Sequence, residues 1–87
     1  MMSELKKLRD EIDKIDEQIL HLLANRVNVC EAIGAAKKKQ KLSVKDEARE
    51  EEVYRHIHSQ AAKLGLNPAR FVAVYREIVN MCSSVQE

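Results

Sequence analysis

A chain of 87 residues with a net charge of +1 and a third of its side chains charged forms one small domain and carries no global field that would gather nucleic acid or an anionic membrane. A domain this short buries only about 60 to 65% of the surface its unfolded form exposes, so its own core is marginal. The longest apolar runs are a few residues, far short of a bilayer span; no signal peptide opens the chain, and both cysteines sit inside apolar patterns. These features predict a cytoplasmic protein with buried free thiols at Cys30 and Cys82.

The first predicted helix runs over about residues 4–38, a stretch without proline and with a single late glycine, Gly34. Its apolar residues fall at Leu5, Leu8, Ile12, Ile15, Ile19, Leu22, Val29, Ile33 and Ala36, a 3-4 repeat interrupted at Arg26. Such a helix is roughly 52 Å long, whereas a compact domain of this length has a radius of gyration of about 12 Å. Two short helices of the same chain cannot cover that stripe, so a second copy is expected to.

The segment "KKKQKLSV" breaks the periodicity and predicts a loop over about 39–45. A second helix over about 46–64 follows, with Ser43 or Asp46 as its cap and Glu47 and Glu50 set against its dipole. Its stripe is Glu50, Val53, Ile57, Ala61 and Leu64, so a carboxylate opens an otherwise apolar row. "LGLNP" then supplies Gly65 for a left-handed stop, Asn67 as the next cap and Pro68 at the first helical position. The third helix, about 68–86, carries Phe71, Tyr75, Ile78, Cys82 and Gln86 on one stripe. The expected fold is all-α, one domain over residues 1–87, with one long and two shorter helices per chain.

Polar groups on buried seams are informative, because a buried charge without a partner is costly. Arg26 occupies a seam position, and Lys37, eleven residues on, lies only about 20° around the helix from it. Glu50 begins the second stripe beside Arg49, and Gln86 ends the third. One reading is structural: an Arg26–Glu50 pair, or polar residues that set the register of a coiled coil. The other is a site for an anion, since Arg26, Lys37 and Arg49 exceed what one Glu50 neutralises.

Elsewhere the chain offers little chemistry. His56 and His58 point about 160° apart on a helix and cannot share a metal. "KKKQK" has no aromatic platform beside it and reads as a solvated loop. No nucleophile has a sequence-local base, and no phosphate loop or zinc motif occurs. What remains is a site that acts by electrostatics and positioning.

In "LRDEIDKIDEQILHLLANR", "AIGAAK" and "VKDEAREEEV", taken in that order, the chain resembles the all-helical chorismate mutases over nearly its whole length. The resemblance implies an intertwined homodimeric helical bundle that converts chorismate to prephenate in aromatic amino-acid biosynthesis, with no cofactor or metal and no nucleic-acid or membrane partner. By position, Arg26 and Arg9 would hold the substrate carboxylates, with Arg9 supplied by the partner chain. Lys37 and Gln86 would donate to the ether oxygen, Glu50 and the Asp46 backbone would hold the ring hydroxyl, and Arg49 would lie against the substrate. Cys82 stands where the family often has a serine, and it is a weaker donor. Two other functions remain open: an isochorismate pyruvate-lyase of the same fold, and a non-catalytic helical dimerisation or regulatory module.

Overall fold

The computed structural model describes residues 2–87; Met1, the first residue of the expected domain, lies outside them. The described residues form three helices, α1 (Met2–Lys39), α2 (Glu47–Lys63) and α3 (Pro68–Gln86), and no strand. The sequence-derived boundaries fall within two residues of these.

Local chemistry explains each boundary. Lys41 adopts the left-handed conformation (φ 57°), so that Leu42 N–H donates to the Lys37 carbonyl and Lys41 N–H to that of Lys38, closing α1. Asp46 caps α2, its side chain accepting from Arg49 N–H at 3.1 Å. Gly65 (φ 73°) ends α2 by the same motif, with Leu66 N–H donating to Ala61 O at 2.9 Å and Gly65 N–H to Ala62 O at 3.1 Å. Asn67 caps α3 through Arg70 N–H, and Pro68 takes the first helical position.

α3 packs against both α1 and α2, while the backbones of α1 and α2 do not approach each other closely. The two splay apart over α3 and leave a cleft between them. The chain is correspondingly elongated, with a radius of gyration of 16.6 Å and extents of 59 × 25 × 15 Å. Its buried apolar side chains, among the described residues, are Cys30, Ala61 and Val79. By contrast Leu5, Leu8, Ile12, Ile15, Ile19 and Leu22 are between 48% and 67% exposed. The N-terminal part of α1 therefore projects past the rest of its own chain with its apolar stripe uncovered.

Two expectations need correction. Cys30 and Cys82 are joined in a disulfide, with their Cα atoms 5.4 Å apart, rather than being free thiols. Their separation of 52 residues hides the pairing from any local pattern, and it arises because α1 and α3 approach closely at Gly34. On a chain-entropy scale a closed loop of this size is worth about 4 kcal/mol, a large share of a marginal domain's stability. On α3, Val79 is the buried residue, and Phe71 is 38% exposed. The inward row is Val72, Tyr75, Val79, Cys82 and Gln86, so the apolar register is displaced by one residue at two of its five positions.

Candidate active site

The cleft between α1 and α2, floored by α3, is a cavity of about 420 Å³, within the range of small-molecule sites. α1 contributes Arg26, Cys30, Ile33 and Lys37 to its walls; α2 and its cap contribute Asp46, Arg49, Glu50 and Val53. Val79, Cys82, Ser83 and Gln86 come from α3. Seven of the eight residues singled out from sequence are thus brought together. Arg9 is not: it lies exposed on α1, seventeen positions and roughly 25 Å from Arg26 along the helix.

Lys37 and Gln86 form the centre of the site. Lys37 Nζ donates to Gln86 Oε1 at 2.8 Å and to the Val44 backbone carbonyl at 2.7 Å. Gln86 Nε2 donates to Cys82 Sγ at 3.3 Å. This network fixes the amide's orientation, since turning it over would set an NH₂ group against the ammonium. An ammonium has three donor hydrogens and a primary amide two. After these bonds one N–H remains on each of two adjacent residues of the cavity wall.

The cations and carboxylates do not pair as the structural reading expected. Glu50 binds Lys45 at 3.2 Å rather than Arg26. Arg26 makes only a long contact from Nη1 to Cys30 Sγ, 3.7 Å, and has no carboxylate partner among the described residues. The Asp46 carboxylate is occupied in capping α2. Arg26 and Lys37 on α1 and Arg49 on α2 therefore line the cavity as a positive set, with Glu50, beside Arg49 on α2, offering an acceptor. Among the described residues no cluster of His, Cys, Asp or Glu is arranged to hold a metal ion. No helix there is long and apolar enough to cross a membrane.

Sequence reasoning missed three contributors. The Val44 carbonyl carries no side-chain signal and enters only because the chain reverses at Lys41. The disulfide pairs residues of two different helices. Gly34 is the third: a Cβ there would lie 2.9 Å from Gln86 Cα and 3.1 Å from Gln86 Cβ, so its missing side chain is what lets α3 bring Gln86 to Lys37. A glycine inside a helix, at a cost of about 1 kcal/mol relative to alanine, was the available clue that something approaches there.

Residues 8–87 match the family described as chorismate mutase type II, and the chain belongs to that family. It is 39% identical, over 99% of its length, to a bifunctional chorismate mutase/prephenate dehydratase of Aquifex aeolicus, of which it covers 25%. It is 32% identical, over 91% of its length, to the T-protein of Enterobacter agglomerans, of which it covers 21%. The chain thus spans about a quarter of the length of these curated relatives. Among solved structures, a conserved hypothetical protein from Pyrococcus furiosus is similar with a TM-score of 0.76 and 37% identity, each chain being covered over 95%.

Proposed function

We propose that the chain is a chorismate mutase acting by intramolecular Claisen rearrangement of chorismate to prephenate. The supporting observation is the Lys37–Gln86 pair, which keeps one donor on each residue for an oxygen in a cavity whose Arg26 lacks a carboxylate partner.

The reaction breaks the ether C–O bond as a C–C bond forms, within one molecule and without proton transfer. The site's composition suits it, because such chemistry needs a compact conformer and donors at the oxygen that gains charge. Arg26 holds one carboxylate, and Arg9 of a second copy holds the other. Glu50 and the Asp46 backbone receive the ring hydroxyl. Lys37 and Gln86 stabilise the developing oxyanion. Even a 10⁶-fold acceleration requires about 8 kcal/mol. Each preorganised donor is worth about 2.7 to 4 kcal/mol, so two of them supply most of that, and conformer selection the rest.

The reading includes a homodimer. The uncovered stripe from Leu5 to Leu22 and the distance of Arg9 from the cavity both support a second chain lying along α1. The test is to incubate the purified protein with chorismate and, separately, with isochorismate and follow the products. Prephenate formation is expected. Pyruvate release from isochorismate without prephenate formation would point to the lyase, and a folded protein inert to both would leave a binding module.

A further inference from the structure

The disulfide lies in the wall of the cavity, four residues before Gln86 on α3 and four after Arg26 on α1. Both site residues reach back to it: Gln86 Nε2 donates to Cys82 Sγ at 3.3 Å, and Arg26 Nη1 approaches Cys30 Sγ at 3.7 Å. Cys30 is 3% exposed, whereas Cys82 is half-buried and lines the cavity. The end of α3 is also held by the approach of Gln86 to Gly34, one helical turn beyond the disulfide, and by the Lys37–Gln86 hydrogen bond.

We propose that the Cys30–Cys82 disulfide is the positioning element for Gln86, so that the activity of the site follows the redox state of this one bond. The proposal rests on the mutase reading for its kinetic consequence, but its structural content does not depend on that reading. When the bond is intact, α1 and α3 are held at bonding distance and the Gln86 amide is seated between Cys82 Sγ and Lys37 Nζ. When it is reduced, the covalent link between α1 and α3 is lost, the end of α3 is freed to shift against Gly34, and the amide leaves its seat.

The chemistry is thiol–disulfide exchange with a dithiol reductant. One reductant thiolate attacks Cys82 Sγ and the S–S bond breaks, Cys30 leaving as a thiolate that takes up a proton. The second reductant thiol then attacks its own mixed-disulfide sulfur. Cys82 is released as a thiol and the reductant departs as its disulfide. Two electrons and two protons pass from the dithiol to the protein.

The experiment compares the full chain before and after dithiothreitol treatment, counting thiols and monitoring helical circular dichroism. Two readouts are taken: chorismate turnover, and the side-chain amide NMR signal of Gln86, assigned with Gln86→Glu. Reduction is expected to move the amide signal and lower kcat by about tenfold or more, as an ångström-scale displacement of a catalytic group does. KM should change much less, and reoxidation should restore both readouts. A Cys30→Ala/Cys82→Ala variant should match the reduced protein and ignore dithiothreitol. If reduction unfolds the chain, the comparison is made in trimethylamine N-oxide, which favours the compact state. An unmoved amide signal, or unchanged turnover in an active protein, overturns the proposal. Absent turnover even in the oxidised protein removes the mutase reading, while the amide signal still decides whether the disulfide positions Gln86.

Discussion

Lys37 Nζ and Gln86 Oε1 lie 2.8 Å apart although 49 residues separate them, and they meet because Gly34, one turn before Lys37, presents no side chain to α3. The ammonium is held from two sides, by the amide and by the Val44 carbonyl, so its remaining hydrogen is confined rather than sampled from a flexible lysine. Preorganisation of this kind makes a donor effective at a developing charge, because no reorganisation is needed as the reaction proceeds.

Lys37→Ala is expected to lower kcat by at least about 10²-fold, the usual loss for a preorganised oxyanion donor. The helical signal and the oligomeric state should be retained, since Lys37 is only half-buried. Steady-state kinetics on chorismate, alongside circular dichroism, measures both. Turnover near that of the parent would exclude Lys37 from the proposed role.

Gln86→Glu makes the site dependent on acid. An ionised carboxylate only accepts hydrogen bonds, and the neighbouring Lys37 ammonium favours the ionised form. The variant should be poorly active near pH 7 and recover as the pH falls and the new carboxyl gains a proton. The parent, with a neutral amide, should show no such rise. A pH–rate profile of the two proteins distinguishes them.

Gly34→Ala sets two effects against each other. Alanine gains about 1 kcal/mol of helix propensity, but the new Cβ would meet the Gln86 backbone at 2.9 Å. Overpacking of this kind costs about 1 to 3 kcal/mol. Net destabilisation is expected in urea titration, together with a kcat loss of about tenfold or more as Gln86 is pushed from Lys37. A more stable and fully active Gly34→Ala protein would show that the approach of the helices is not needed.

Arg9→Ala and Arg26→Ala test whether two chains build one site. Each variant alone should be nearly inactive. If Arg9 acts across the interface, unfolding and refolding the two together restores about a quarter of parental turnover, because half the dimers are mixed and each mixed dimer has one intact site. If both arginines serve the same chain's site, mixing restores nothing.

The helices and most of the site were legible in the sequence because both are written in short-range spacing. Arg26 and Lys37 betray themselves by interrupting an apolar row, Gln86 by ending one, and Asp46, Gly65, Asn67 and Pro68 mark ends by local backbone chemistry. What was not legible depends on how α3 is rotated against α1. The disulfide, the contact at Gly34 and the choice of Val79 over Ile78 as the buried residue all follow from that one rotation, which no periodicity within a single helix encodes. Of the two readings open at Glu50, the pair with Arg26 does not form, for a related reason: Lys45, five residues away beyond the helix start, is nearer than any cation across the cleft.

The uncovered apolar stripe of α1 has a consequence for how the protein responds to dilution. With three buried apolar side chains among the described residues, a single chain leaves much of the burial available to this sequence unrealised. On the proposed assembly, folding becomes a second-order process, and the midpoint of unfolding rises with protein concentration rather than being a constant of the chain. Specific activity would then fall on serial dilution before any substrate limitation sets in, as chains that have lost their companion also lose Arg9.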